Sequence, residues 1–223
     1  MRKLYTIIFI IMLVCVAGTA ILLILTPDQV PVHYDINGSV DRIGSKYENI
    51  IWPVLTVATG VFIMLMAKRE RRKAEKSNEK PLLCTGIGVL ILFTVLGFYF
   101  MIKSLRYVPG GTSAVSADDL NRFISIGIGA LMVVLGNIMP KAKRNSVFGL
   151  RTKWSMANDA VWQKSQRFSG IVTVIGGFVI IILALFVPGI WNTVVMMAVI
   201  AVVVVLSVSA SRRYWLEDKE GGR

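Results

Sequence analysis

The chain has 223 residues, 55% of them hydrophobic and 17% charged, with a net charge of +12 and a mean hydropathy of +0.66. A water-soluble domain carries about a quarter charged residues, so this composition excludes an ordinary soluble globular domain. The apolar residues fall in blocks of about 20 with the charge swept into the gaps, which is the pattern of a polytopic membrane protein.

The first block covers residues 4–25, behind Arg2 and Lys3. It is longer than the roughly 7–15 residues of a secretory signal core. Leu13-Val14 ahead of Cys15 also lacks the small residue of a lipoprotein cleavage site. An uncleaved first span is therefore expected. Five more blocks follow at 50–67, 82–102, 123–139, 171–187 and 191–210. They are continuous rather than alternating, which favours helices over barrel strands. Pro188-Gly189-Ile190 reads as a tight turn joining the last two into a helical hairpin. Ser125, Gly129 and Gly136 share one face of the fourth block and offer a surface for close helix approach in lipid. None of the six blocks contains Asp, Glu or His, which argues against a proton-coupled transporter, with Asn137 as a polar exception. Cys15 and Cys84 sit within or at the edge of apolar blocks, so no structural disulfide is expected.

Orientation follows from the connectors. Lys and Arg number two at the N-terminus, seven in residues 68–80, seven in 140–170 and four in the tail, against five on the other side. The positive-inside bias therefore places both termini and both rich connectors in the cytoplasm. The net charge is then mostly a topological signal, and direct nucleic-acid binding is not expected.

The first outside loop, TPDQVPVHYDINGSVDRIGSKYEN, opens with Pro27 and Pro31, which stop helix propagation. Asn37-Gly38 supplies the positive φ angles of a two-residue hairpin turn. That turn predicts a ribbon of 32–36 against 39–43, with Ile36 facing Ser39, Tyr34 facing Asp41 and His33 facing Arg42. The only histidine of the chain lies here among scattered carboxylates, without the spacing of a metal site. A hydrogen-bonded hairpin that caps the outer helix ends is expected, with no metal or other cofactor. In the second outside loop, Ser116 followed by Asp119 reads as a capping box that starts the fourth helix near Ala117.

The inner stretch at residues 145–170, NSVFGLRTKWSMANDAVWQKSQRFSG, combines cations, indoles and small turn formers between two apolar blocks. Ser155 is the expected cap of a short helix over 156–168. Val161, Ser165 and Phe168 share one face of that helix, Trp162 borders it, and Gln163, Lys164, Gln166 and Arg167 form much of the rest. This describes an interfacial helix lying in the membrane surface or against the bundle. Arg151 and Arg167 could pair with phosphate headgroups or with carboxylates on a partner.

Two motifs carry a family resemblance. Pro27, Val30, Pro31, His33, Tyr34, Gly38 and Asp41 resemble the signature that opens many bacterial SdpI-type membrane proteins. Asn145, Phe148, Gly149, Arg151 and Thr152, followed by Trp162, Arg167, Phe168 and Gly170, resemble the C-terminal motif of the same family. The resemblance implies a bacterial plasma-membrane immunity protein, which protects against a secreted peptide toxin and holds a small DNA-binding repressor at the membrane once toxin is present. On that reading Pro31, His33, Tyr34, Gly38 and Asp41 face the signal or toxin. Asn145, Phe148, Gly149, Arg151, Trp162, Arg167 and Phe168 face the inner partner.

The expected fold is thus an all-α polytopic membrane protein of six transmembrane helices, with cytoplasmic N- and C-termini, a short extracellular hairpin and one interfacial cytoplasmic helix. Residues 1–80 form an N-terminal helical hairpin with the Pro-x-His loop, and 81–223 a four-helix region with the inner motif, together one integrated membrane domain. Expected partners are membrane lipids, a peptide toxin outside and a small repressor inside. A transporter or channel for small molecules or peptides, or a membrane scaffold with no toxin role, is the alternative. No Ser/His/Asp set, zinc motif or intramembrane carboxylate pair points to an enzyme.

Overall fold

The computed structural model describes residues 1–34, 40–72, 77–105 and 117–221. Among the described residues, six helices are long and apolar enough to cross a membrane. They are α1 (Arg2–Leu25), α2 (Ile51–Arg71), α3 (Glu79–Ser104), α4 (Ala117–Ile138), α5 (Asp159–Phe186) and α6 (Gly189–Gly221). Strands β1 (Gln29–Tyr34) and β2 (Val40–Ser45) form an antiparallel ribbon between α1 and α2. The large apolar side chains that point outward, among them Phe9, Ile24, Phe62, Phe178, Phe186 and Val205, form a surface suited to lipid rather than water.

Several helices outrun the apolar blocks. α2 continues through Lys68, Arg69, Glu70 and Arg71, and α3 starts at Glu79. These residues are good helix formers, so nothing stops the helix where apolarity does. Glu70 and Glu79 become buried at the helix ends as a result, and the Tyr5 hydroxyl donates to Glu79 Oε1 at 3.1 Å.

Side-chain ties define the two ends of the bundle. The start of α1 meets the start of α3 through Tyr5 and Glu79. Asn78 bonds Lys143, Thr152 meets Ser211, and Asn158 donates to Asp218. One end therefore gathers the first turns of α1, the α2–α3 and α4–α5 connectors, and the last turns of α6. The opposite end gathers the ribbon, the Trp52 ring stacked on Phe100 at 5.7 Å, the Lys103–Asp119 pair, and Thr193 donating to Asn121. The α5–α6 turn closes there as the sequence predicts. Gly189 takes φ 57, and Asn192 Nδ2 donates to the carbonyls of Ala184 and Val187.

Packing follows glycine. α1, α2 and α3 surround one apolar core built on Ile8, Met12, Ile63, Leu83 and Leu90. α4, α5 and α6 pack on one another, and α3 touches α4. α4 and α5 approach to backbone contact. A Cβ on Gly136 would stand 2.5 Å from the Gly170 carbonyl oxygen, and one on Gly177 would stand 2.6 Å from that of Gly129. Gly129 and Gly136 are seven residues apart on α4, and so are Gly170 and Gly177 on α5. The two antiparallel helices thus meet backbone to backbone twice, two turns apart. Gly129 and Gly136, which share with Ser125 the face read from the sequence, form this interface.

Two outcomes test the architecture. Gly136→Ala places a methyl against backbone and should destabilise by about 1–3 kcal/mol. Gly127→Ala meets only the end of the Leu92 side chain, so melting of the detergent-solubilised protein should separate the two variants. For orientation, a fluorescent protein fused to the C-terminus should fluoresce and alkaline phosphatase fused there should be inactive. The reverse pattern would invert the bundle in the membrane.

Candidate functional site

Both connectors singled out in the sequence are folded, and they are held in different ways. At the ribbon end, Gln29 pairs with Ser45, Val30 with Gly44, Pro31 with Ile43 and His33 with Arg42. Tyr34 pairs with Val40, not with Asp41 as an uninterrupted two-residue hairpin would require, because the register shifts on either side of His33. Gly38 and the Asn37-Gly38 turn lie outside the described residues. Pro31 is buried, Tyr34 faces the Phe100 ring at 6.4 Å, and His33 Nδ1 lies 2.7 Å from Asp41 Oδ1 on the exposed face. Arg42 bridges to Glu48 at 2.8 Å, and Lys46 to Asp28 at 2.9 Å. A pocket of about 330 Å³ lies beneath, with Pro31, Tyr34, Trp52 and Phe100 for walls and the Arg42–Glu48 pair at its side. The ribbon joins His33 to Asp41 on its exposed face and turns Pro31 and Tyr34 toward the pocket. Among the described residues, no group of three or more His, Cys, Asp or Glu gathers closely enough for a metal ion.

At the basic end, residues 139–158 form a compact turn system. Pro140 stops α4 and leaves one 3-10 turn, Met139–Lys141. Asn145 then organises the chain around its own side chain. Its Oδ1 accepts from the backbone N–H groups of Val147 (2.8 Å) and Phe148 (2.7 Å), while its Nδ2 donates to the carbonyl of Lys143 (2.7 Å). Asparagine suits this because its short amide both donates and accepts within its own turn. Gly149 follows with φ 96, a left-handed conformation, and a Cβ there would stand 2.5 Å from Gln166 Oε1. Glycine meets both demands.

Gln166 is the centre of the system. It is fully buried, and its amide pairs with both backbone groups of Leu150, accepting from N–H at 3.0 Å and donating to C=O at 2.8 Å. Asn78 does the same for Lys143, donating to its carbonyl at 3.0 Å and accepting from its N–H at 2.8 Å. Two amide side chains from two helix starts thus stand in for the strand partners that an irregular segment lacks. Ser155 accepts from the N–H of Thr152 and donates to the Leu150 carbonyl, and Thr152 Oγ1 lies 2.6 Å from Ser211 Oγ on α6.

The helix expected over 156–168 is not a separate interfacial element. Those residues from Asp159 onward are the first turns of α5, which runs unbroken into the span. Asn158 is the cap, accepting from the N–H of Val161 at 2.9 Å, and Ser155 belongs to the preceding turn. Of the two positions expected for the helix's apolar face, in the membrane surface or against the bundle, the structure shows the second. Trp162 is almost wholly buried and donates its indole N–H to the Ala142 carbonyl at 2.7 Å, and Val161 and Ser165 are buried with it. Gly170 lies within α5, at the crossing with Gly136.

The motif residues therefore divide. Asn145, Gly149 and Trp162 build the turn system. Phe168 is half-buried and meets the Tyr214 ring edge-on at 6.3 Å. Phe148 is half-buried in the turn. Arg151 and Arg167 are exposed, Arg151 with its guanidinium donating to the Ser146 carbonyl. Arg144 joins the turn to α5 through Asp159 at 2.7 Å and the carbonyls of Met156 and Ala157. Beside it opens a cleft of about 700 Å³ whose wall includes Lys141, Lys143, Arg144, Trp162 and Gln163. Sequence reasoning missed Gln166 and Asn78 as organising residues and read Ser155 as a helix cap, whereas it closes the preceding turn. For Gln166 the available signal was its spacing of four from Trp162 and three from Ser169 on one helical face.

Replacing Gln166 with Leu should leave both Leu150 backbone groups without their partner, at about 1–3 kcal/mol for a buried group. Amide hydrogen exchange across 147–155 should speed up, whereas Gln163→Leu, on the exposed face of the same helix, should leave it unchanged.

Comparison with known proteins brings both ends of the bundle into view. Residues 141–210 match the model of the SdpI/YfhL protein family, and residues 10–57 match a domain of unknown function, DUF1648. Over 189 residues the chain is 25% identical to "Immunity protein SdpI" of Bacillus subtilis (strain 168), covering 85% of this chain and 84% of the relative. It is 34% identical over 55 residues to "Uncharacterized protein YfhL" of the same organism, covering 23% of this chain and 50% of that one. No solved structure matches the chain.

Proposed function

We propose that this multi-pass plasma-membrane protein, whose residues 141–210 match the SdpI/YfhL family, is an immunity protein against a secreted peptide toxin. The observation that carries the reading is the alignment with the B. subtilis immunity protein, which runs through most of both chains rather than one motif. The proposed role is one of recognition, without catalysis.

In this reading the ribbon is the toxin-facing surface, with Pro31, His33, Tyr34 and Asp41 as its described residues. The turn system at the other end is the surface toward a small repressor, and Arg151 and Arg167 are its exposed cations. Support for a relay comes from α5 and α6, which run from one end of the bundle to the other. A toxin shifts the inner surface only if it binds one arrangement of the bundle more tightly than another.

Deletion of the gene, followed by challenge with spent medium from the parent strain, should lower survival, and the intact gene should restore it. Equal survival of parent and deletion strain would overturn the reading. Arg151→Ala or Arg167→Ala should reduce repressor recruitment to the membrane while the protein stays at its normal abundance there. Loss of abundance in both variants would instead make these arginines part of the fold.

A further inference from the structure

We propose that the groove between the turn at residues 152–155 and the C-terminal part of α6 binds the headgroup phosphate of an anionic phospholipid. Its walls are Lys153, Trp154, Arg212 and Trp215, around a volume of about 370 Å³.

The groove is built, not incidental. Thr152 Oγ1 and the fully buried Ser211 Oγ lie 2.6 Å apart. Each is followed in the chain by one of the two cations, Lys153 and Arg212. A single hydrogen bond therefore ties together the two segments that carry the positive charges. Ser155 and Gln166 fix the turn on its other side. No carboxylate lines the groove. Of the acids of α6, Glu217 pairs with Arg213 at 3.4 Å and Asp218 accepts from Asn158 at 2.7 Å, and Glu220 lies outside the groove's walls. The Lys153 ammonium lies 5.3 Å from the Trp154 ring centre, and Lys219 lies 4.1 Å from that of Trp215.

Depth selects a lipid. Trp191, 66% exposed, stands near the opposite end of α6. Trp215 follows it by 24 positions, which is about 36 Å of helix at ~1.5 Å per residue. A bilayer hydrocarbon core is about 30 Å thick, so the two indoles fall at the two interfaces, where tryptophan concentrates. The groove is thereby held at headgroup level. Arg212 offers a planar fork to phosphate and Lys153 a point charge. The indoles pack on the glycerol and first acyl carbons. The same cations repel the choline of a zwitterionic lipid.

The test is native mass spectrometry of the full chain in a neutral maltoside detergent. The probes are dioctanoyl phosphatidylglycerol, dioctanoyl phosphatidylcholine and soluble glycerol 3-phosphate. Phosphatidylglycerol should be retained in preference to phosphatidylcholine, and glycerol 3-phosphate should not be retained. Lys153→Gln with Arg212→Gln should weaken phosphatidylglycerol binding about ten- to thirtyfold, two headgroup cations being removed. Arg69→Gln with Arg72→Gln, exposed cations at the same end of the bundle, should leave it unchanged. If the double variant does not stay monodisperse, Lys153→Gln alone carries the test, with a loss of about fivefold expected. The proposal is overturned if the groove variants bind phosphatidylglycerol as the unaltered chain does, if the two lipids bind alike, or if glycerol 3-phosphate binds as tightly as the lipid.

Discussion

Two glycine pairs set the distance between α4 and α5, and that distance decides where the basic end of the protein can lie. Inside a bilayer there is no hydrophobic gain from bringing two apolar helices together, so close backbone packing has to supply the attraction. Gly129 meets Gly177 and Gly136 meets Gly170 with no side chain between them. The second pair lies just before the helix gives way at Pro140. The chain therefore leaves α4 already pressed against the first turns of α5, and Ala142 comes within reach of the Trp162 indole. A wider crossing would separate that donor and acceptor and release the turn system from its support.

Once the crossing is set, the connector is held by its own polar groups and by amides borrowed from the helices. Asn145 closes one turn, Gln166 and Asn78 each take both backbone groups of a distant residue, and Ser155 with Thr152 ties the last turn toward α6. These bonds consume the neutral polar groups and leave Arg151, Lys153, Lys164 and Arg167 on the outside. The division of labour is chemical. Amides suit the interior because they donate and accept without charge, and guanidinium and ammonium groups stay wet because burying them unpaired is costly.

Much of the fold was legible because a bilayer simplifies the code. A run such as residues 171–187 has few structures open to it in lipid, and Pro188-Gly189 forces the reversal that follows. The faces were harder. The stretch 156–168 has the look of a surface helix because Gln163, Lys164, Gln166 and Arg167 are polar, yet Gln166 is buried by a partner 16 residues back in a loop. Nothing local signals a bond between a side chain and a remote backbone. The same holds for Asn78, whose partner is 65 residues away. Helix ends were misjudged at Lys68 and Glu79 for another reason, since apolarity marks where lipid stops, not where hydrogen bonding stops. The motif residues of the basic end were recognisable as a pattern, but the sequence does not tell that Asn145, Gly149 and Trp162 serve the backbone while Arg151 and Arg167 remain exposed.

The Asn78 bridge has a mechanical consequence. Asn78 stands at the start of α3, which packs with α1 and α2, while Lys143 hangs from the end of α4, which packs with α5 and α6. Two hydrogen bonds spanning a single residue thus stitch one trio of helices to the other at the basic face. Hydrogen bonds tolerate only a few tenths of an ångström and modest changes of angle before they weaken. A relative shift of the two trios of more than that would strain these two bonds before it disturbed the apolar cores, so the Asn78–Lys143 pair fixes how the trios sit at this face.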